Sequence, residues 1–312
     1  MSNKLEIVYY TDLKDKADLL HLWAQSFGFL MTEKTVNAWA KVGHGLKDTP
    51  IGTCGLIDGK VAGFVGMLEL PTRNKLGDVE LVGGIWAIAT RPSMARQGVG
   101  RKLLAAAEDH FRERGIRLSM LTTSRAIVAH RWYSGVGYRE VEVVNQYPHY
   151  YKALKASSKA KSKKPLAGED FDRVQCVANF TRFMKGRCGF VYRAQERFDY
   201  METVGNLGKA TSKTTERGHV IASTQMGAAL VNEMIAESQT AALEMIKWVE
   251  SRVENGAYYR YVFDPTVAKA LTRAGYRSDT GAFDVFMCKP LGKVGFDDVY
   301  DETFTVSRGE FF

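Results

Sequence analysis

The sequence predicts a mixed α/β chain, with α+β character, in which a central twisted sheet flanked by helices is present twice in tandem. An apolar run at 81–90 is followed by a glycine-containing loop and an amphipathic stretch that ends near Gly115. This is the order of a strand, a tight loop and a helix. Further strand-like and helix-like runs surround that unit. The second half repeats the outline and contains the same tripeptide, Gly-Tyr-Arg.

The first 150 residues carry a signal for each element of such a unit. Leu20, Trp23, Ala24 and Phe27 recur at helical spacing and mark one face of an early helix. The dipeptide Asp58-Gly59 between two apolar runs predicts a β-hairpin. The predicted elements are a strand at 4–10, helices at 17–29 and 32–42 (capped by Thr32), strands at 53–57, 61–70 and 79–90, and a helix that buries Val99, Leu103, Ala107 and Phe111.

The second half follows the same plan but lacks the glycine loop. Aligned on the two Gly-Tyr-Arg ends, Leu271 falls opposite Tyr133, and the stretch 235–239 before the second-half helix contains no glycine. We therefore interpret this half as a degenerate copy of the first. Its predicted elements are a helix at 240–254 and a strand at 258–263, and the stretch 266–277 echoes 128–139.

A lysine-rich stretch separates the two halves. Residues 151–165 carry six lysines and no acidic residue, together with several Ser and Ala, which is typical of a solvated linker. The predicted divisions are a first domain at 1–152, a Lys-rich linker at 153–165, a degenerate second domain at 166–292 and a C-terminal tail at 293–312.

The loop after the strand at 79–90 has the chemistry of a phosphate site. Gly98 and Gly100 lack a Cβ, so the backbone can approach a ligand closely. The start of the following helix offers unpaired N–H groups and the positive end of the helix dipole. Arg96, Arg101 and Lys102 add positive charge. A phosphate-rich ligand suits this arrangement.

The spacing excludes two familiar phosphate loops. A dinucleotide fingerprint needs a third glycine where this chain has Leu103, and a P-loop needs Gly-Lys-Ser/Thr where it has Gly100-Arg101-Lys102. The stretch 95–100 instead resembles the Arg/Gln-x-x-Gly-x-Gly/Ala loop of the GNAT superfamily of N-acetyltransferases, and 129–138 resembles the family's Ala-x-x-x-Tyr-x-x-x-Gly-Phe/Tyr ending. Two positions depart from the pattern: Ala95 replaces Arg or Gln, and Ala126 replaces a frequent Asn.

The resemblance implies a GNAT fold and a ligand, acetyl-CoA, that acts as co-substrate. The backbone at the end of the strand would polarise the thioester carbonyl, the glycine loop would hold the pyrophosphate, and Tyr133 would protonate the leaving thiolate. The residues expected to contact acetyl-CoA are Ile88, Ala89, Thr90, Arg96, Gln97, Gly98, Val99, Gly100 and Arg101.

The general base is a separate question. Glu80 lies on the strand that leads to the loop, where many relatives place a carboxylate, and we take it as the candidate. Glu69 on the preceding strand is the alternative. His130 lies three residues from Tyr133, but nothing else marks it as catalytic. Some relatives use the terminal carboxylate, which here belongs to Phe312.

The cysteine content and the hydropathy of the chain indicate which ligands and which cellular compartment to expect. The four cysteines have no Cys-x-x-Cys spacing and no accompanying histidine cluster, so neither a metal site nor a disulfide framework is expected. No run approaches the ~18 apolar residues that a membrane span needs, and 1–10 does not resemble a secretory signal. We expect a cytoplasmic protein without a membrane partner.

The sequence therefore predicts direct transfer of an acetyl group from acetyl-CoA to a primary amine in a ternary complex. Neither the identity of the amine nor the oligomeric state can be read from it. Two alternatives remain open: a non-catalytic acyl-CoA-binding module, and a basic nucleic-acid-associated protein that uses 152–164. The net charge of +8 fits both CoA and nucleic acid. No aromatic residues interleave those lysines as a stacking surface requires, which argues against nucleic acid.

Overall fold

The computed structural model describes residues 4–28, 32–42, 49–154, 171–203 and 206–310. The lysine-rich stretch from 155 to 165 and the terminal Phe312, both of which figured in the sequence predictions, lie outside the described residues.

Strands and helices alternate along both halves. The strands are β1 (Glu6–Tyr9), β2 (Gly52–Ile57), β3 (Lys60–Arg73), β4 (Val79–Thr90), β5 (Leu118–Ser124), β6 (Arg139–Glu140), β7 (His149–Ala153), β8 (Lys213–Thr215), β9 (Gly218–Gln225), β10 (Ala228–Ala236), β11 (Gly256–Tyr259), β12 (Arg277–Asp279) and β13 (Asp284–Pro290). The helices are α1 (Lys16–Phe27), α2 (Glu33–Val42), α3 (Val99–Glu113), α4 (Val128–Gly135), α5 (Glu142–Asn145), α6 (Arg173–Phe183), α7 (Arg197–Thr203), α8 (Gln239–Glu250), α9 (Pro265–Arg273) and α10 (Phe296–Val299).

These strands form two mixed sheets of similar design. The first has seven strands in the order β1-β2-β3-β4-β5-β13-β6, and the second has six in the order β12-β7-β11-β10-β9-β8. Each contains one parallel pair, β4 with β5 and β10 with β11, and the remaining pairs are antiparallel. The fold class predicted from the sequence, a mixed sheet flanked by helices and present twice, is confirmed.

The two sheets exchange a strand. β13, near the C-terminus, closes the first sheet between β5 and β6, and pairs with β5 from Asp284↔Ser124 to Pro290↔Leu118. β7, which follows β6 in the chain, leaves the first sheet and pairs with β11 and β12 in the second. The domain limits 1–152 and 166–292 stay a prediction. Each sheet contains one strand from the other segment, since β13 lies in the first sheet and β7 in the second.

Both faces of the first sheet are covered. On one face, Leu103, Ala107 and Phe111 of α3 are fully buried, as the amphipathic pattern predicted. On the other face, Trp23 of α1 packs edge-on to Phe64 of β3 with ring centroids 4.9 Å apart. The Phe286 side chain of β13 belongs to this second layer and is fully buried.

Local signals in the sequence explain several boundaries. Asp58 and Gly59 have φ values of 50° and 74°, which suits a tight hairpin turn of the predicted kind. The Thr32 side chain accepts a hydrogen bond from the Thr35 amide at 3.2 Å, so the predicted cap of α2 is present. The second-half strand predicted at 258–263 instead ends at Tyr259, because the chain turns out of the sheet at Tyr261, where φ is 51°.

The four cysteines, Cys54, Cys176, Cys188 and Cys288, are free and buried. Within the described ranges no helix is both long and apolar enough to cross a membrane.

Replacing Phe286 by Ala tests whether β13 is part of the first core. Deleting a fully buried phenylalanine typically costs about 3–5 kcal/mol, so we expect Phe286→Ala to lower the free energy of unfolding by about that amount in denaturant titrations. The matched control is Phe283→Ala, because Phe283 lies three residues away and is 71% exposed. Equal, small effects of the two substitutions would contradict the exchanged-strand core.

Candidate active site

A gap opens between β4 and β5 at the end of their parallel ladder. The pairing runs over Gly83↔Ser119, Gly84↔Met120 and Ile85↔Leu121, while the β3–β4 ladder continues to Gly63↔Thr90. β4 therefore stays with β3 and diverges from β5 after Ile85. The register shift in the β3–β4 ladder coincides with Ala87, whose φ is 48°. A bulge of this kind bends a strand and re-aims its backbone groups.

The glycine loop leads directly from the end of β4 into α3. Gly98 is the N-cap of α3, with φ 76° and ψ 6°, and no side chain caps this helix end. The first turn also contains no acidic residue. The amides of that turn are thus left for an external acceptor, which is the arrangement that binds phosphate at helix N-termini.

The loop is held in an uncommon backbone conformation. Arg96 has φ 61°, a value that non-glycine residues adopt at a cost of about 1–3 kcal/mol. A Cβ built on Gly98 would meet nothing within 4 Å, whereas one on Gly100 would lie 3.3 Å from the Thr90 hydroxyl oxygen. The loop thus leaves open space at Gly98 and packs closely on the end of β4 at Gly100. These contacts bring the predicted acetyl-CoA residues of the strand and of the helix start together.

Tyr133 lies on α4, on the same face of the sheet as α3. It is 8% exposed and packs edge-on to Tyr138 with ring centroids 5.9 Å apart. Burial raises the pKa of Tyr133 to about 12. Within the described residues its hydroxyl makes no hydrogen bond, in contrast to that of Tyr138, which bonds to Ser119 at 2.7 Å. The phenol is therefore protonated at neutral pH and has no partner to displace.

Glu80 is far from the gap. It is the second residue of β4, eight residues before Ile88, which corresponds to about 27 Å at the usual rise of a strand. Its carboxylate accepts two hydrogen bonds from Arg117, at 3.0 and 2.5 Å. Both observations count against the role as base that the sequence suggested. Arg117 is 37 residues from Glu80 in the sequence, so no local pattern indicates this pair.

The other proton acceptors considered from the sequence are also paired. Glu69 accepts hydrogen bonds from both Nε and Nη2 of Arg114, each at 3.2 Å, and its Oε1 lies 3.3 Å from His110 Nε2. His130 Nε2 lies 2.8 Å from Glu140, so it is engaged away from Tyr133. In the part of the chain that the structure describes, no group of three or more His, Cys, Asp and Glu residues could hold a metal ion.

The second half has a similar strand divergence, and a buried ion pair lies on the strand beside it. The β10–β11 ladder ends at Val231↔Tyr259, with a register shift next to it in the β9–β10 ladder. Glu233 beside this point is fully buried and accepts two hydrogen bonds from Arg193, at 2.5 and 2.8 Å. Burial alone would raise the pKa of Glu233, but the Arg193 charge and its hydrogen bonds hold that pKa well below its ordinary value.

The helix start that corresponds to the glycine loop is closed in the second half. Ser238 is the N-cap of α8, and its hydroxyl accepts a hydrogen bond from the Ala241 amide at 3.2 Å. Leu271, the residue opposite Tyr133 in the sequence alignment, is fully buried in α9 and carries no proton to donate. The second half therefore retains the scaffold without the groups that would bind a phosphate or protonate a leaving group.

Comparison with known proteins agrees with this geometry. Residues 17–138 match the model of the acetyltransferase (GNAT) family. This part of the chain, 17–138, is therefore similar to GNAT acetyltransferases, and it makes up less than half of the 312 residues. An aminoalkylphosphonate N-acetyltransferase of Salmonella typhimurium is 35% identical over 77 residues, which are 24% of this chain. The match spans 50% of that relative, about half its length.

Solved structures extend the likeness to the whole tandem fold. A GCN5-related N-acetyltransferase from Kribbella flavida superposes with a TM-score of 0.63 at 16% identity, covering 92% of this chain and 72% of that one. A tandem GNAT protein from the clavulanic acid biosynthesis pathway gives a TM-score of 0.53 at 14% identity, covering 94% and 100% of the two chains. At these identities the likeness concerns the fold alone, and it includes the duplicated GNAT unit.

Replacing Gly98 by Ala should weaken binding of acetyl-CoA. The added methyl enters the open space where the pyrophosphate is predicted to lie, and φ of 76° is strained for alanine. We expect at least a tenfold loss of affinity by calorimetry, about 1.4 kcal/mol. The control is Gly115→Ala, at the other end of α3, where φ is 73° and the space is equally open. Equal affinities of the two variants would place CoA elsewhere.

One acetyl-CoA should bind per chain. Of the two helix starts that follow the strand divergences, that of α3 has no side-chain cap, whereas the Ser238 hydroxyl caps that of α8. Calorimetric titration of the wild-type protein should give a stoichiometry of about one. Two equivalent sites would show that the second half is a working copy.

Proposed function

We propose that the protein is an N-acetyltransferase that moves the acetyl group of acetyl-CoA directly to a primary amine in a ternary complex. The observation that carries the proposal is the meeting of two features at one place: β4 diverges from β5 after Ile85, and the uncapped start of α3 follows at Gly98. The match of 17–138 to the GNAT family and the similarity to an N-acetyltransferase support the same reaction class.

The start of α3 and the gap between β4 and β5 would bind different parts of acetyl-CoA. The α3 amides and the positive charge of Arg101 would hold the pyrophosphate, and this needs no Arg or Gln at position 95, because the donors are backbone groups. The thioester would enter the gap, where β4 still pairs with β3 at 89–90 but no longer pairs with β5. Amide donors directed at a carbonyl oxygen stabilise the oxyanion of acyl transfer by a few kcal/mol.

The reaction forms one bond, breaks another, removes two protons from the nitrogen and adds one to the sulfur. The amine nitrogen attacks the carbonyl carbon, the C–N bond forms, and the C–S bond breaks with its electron pair on sulfur. The proposed donor of the proton that this thiolate accepts is the Tyr133 hydroxyl. The proton that the nitrogen loses as the amide forms restores the phenol of Tyr133. The ammonium must lose a proton before attack. Glu80 is the candidate from the sequence, but its position favours transfer to solvent or to another group in the gap.

The proposed activity is tested by CoA release with a panel of amines. Aminoalkylphosphonates belong in the panel because the Salmonella relative is named for them. Acetylated amine appearing in equal amount to free CoA would support the enzyme. Tight acetyl-CoA binding with no turnover on any amine would favour the alternative, a non-catalytic acyl-CoA-binding module.

Replacing Tyr133 by Phe should lower kcat more than it weakens acetyl-CoA binding. Loss of a general acid typically costs ~10²–10⁴-fold in rate, and the ring that packs on Tyr138 is retained. The control is Tyr138→Phe, which removes another buried hydroxyl but one bonded to Ser119. If kcat of Tyr133→Phe stayed within about twofold of wild type, the phenol would be a packing residue only.

Replacing Glu80 by Gln should reduce stability by about 1 kcal/mol and leave kcat within about twofold, because the carboxylate is paired with Arg117. The informative partner variant is Arg117→Met, which breaks the same pair but keeps the carboxylate. If Glu80→Gln lost ~10²-fold in kcat while Arg117→Met did not, Glu80 would be the base after all.

A further inference from the structure

A group of positively charged side chains lies where the second half meets the first sheet. Arg260 follows β11, and Arg308 belongs to a short turn of 3-10 helix at Arg308–Glu310. They surround the start of β13, where Asp284 pairs with Ser124 at the end of β5. The Asp284 carbonyl accepts a 2.5 Å hydrogen bond from the Tyr261 hydroxyl. The group therefore lies one strand away from the edge of β5 that borders the gap.

The carboxylate of Asp284 faces both arginines, and that of Asp279 acts on His149. Arg308 is 3.8 Å from the Asp284 carboxylate, whose side chain is 46% exposed. Arg260 makes no ion pair among the described residues and donates its guanidinium hydrogen bond to the neutral amide of Asn232. Burial, with the nearby Arg308 charge, lowers the pKa of Arg260 to about 10. The Arg260 guanidinium thus lies in a partly desolvated place without an ion-pair partner of its own among the described residues.

Arg260 and the neighbouring His149 each have a buried nitrogen with no hydrogen-bond partner in the described part of the chain. These are Nε of Arg260 and Nε2 of His149. His149 is only 8% exposed, and its other ring nitrogen lies 2.8 Å from the Tyr258 hydroxyl. A buried polar atom without a partner costs about 1–3 kcal/mol and calls for an explanation. An anion placed between the imidazole and the guanidinium would satisfy both atoms and offset the charge.

We propose that His149, Tyr258, Arg260 and Arg308, which we call the junction cluster, bind an anionic group carried by the amine acceptor. This inference rests on the proposed acetyltransferase function and assigns a role to the second half. The cluster is about two strand spacings, roughly 10 Å, from the gap between β4 and β5. That separation suits a small acceptor with an amine at one end and a carboxylate, sulfonate or phosphate at the other.

The binding test uses inorganic phosphate on protein saturated with CoA, so that the glycine loop is already filled. We expect calorimetry to detect one phosphate per chain and affinity to fall at least tenfold in Arg260→Gln and in Arg308→Gln. Arg217→Gln is the matched control, since Arg217 pairs with Glu237 at the exposed β8–β9 turn. Thermal melts identify variants that fail to fold, in which case His149→Gln takes their place. Phosphate binding unaffected by all three cluster substitutions would overturn the proposal.

The kinetic test compares β-alanine and 2-aminoethyl phosphate with propylamine, which has a similar length and no anionic group. We expect kcat/KM to favour the anionic acceptors at least tenfold, and this preference to disappear in Arg260→Gln but persist in Arg217→Gln. Equal use of propylamine, with no differential effect of Arg260→Gln, would overturn the inference and leave the acetyltransferase in place. If no amine is acetylated, the proposed function fails, and the phosphate titration still decides whether the junction cluster binds anions.

Discussion

The pairing of β5 with β13 is the interaction on which the rest of the structure depends. β5 forms one wall of the gap through its parallel edge, and β13 occupies its other edge along the full length of the strand. Without β13, the core of the first sheet would lose the fully buried side chains of Val285 and Phe286. The same strand carries Asp284 to the junction cluster. One ladder therefore supports the first core, fixes one side of the proposed site and joins the two halves.

The two halves show how one scaffold yields an open site in one copy and a filled one in the other. Both have a parallel strand pair that diverges, and both start a helix next to it. In the first copy the helix cap is Gly98, which has no side chain to cap the helix amides. In the second, the hydroxyl of Ser238 satisfies a helix amide, and Glu233 with Arg193 occupies the interior. Local side-chain chemistry, and not strand topology, separates a ligand site from a structural core.

The parts of this structure that depend on neighbouring residues were predictable from the sequence. β4 was predicted with its observed limits, and the face of α3 and the turn at Asp58 follow from periodicity and turn chemistry. The glycine loop led to the GNAT family because its spacing is local and specific. Features that depend on distant residues were missed. No pattern near β7 shows that it pairs in the second sheet, and Glu80 gives no sign of Arg117. The junction cluster unites residues from 149 to 308, so no single window of sequence contains it.

The exchange of β7 and β13 also sets an order of events during synthesis on the ribosome. β5 and β6 emerge early, but the strand that belongs between them is made only near the end of the chain. Until then one edge of β5 is unpaired, and an open strand edge invites pairing with other chains. β7 emerges in the meantime, but its own partners, β11 and β12, are also made later. The nascent chain therefore carries an open edge on β5 until β13 arrives, and long-range pairing of this type is slow.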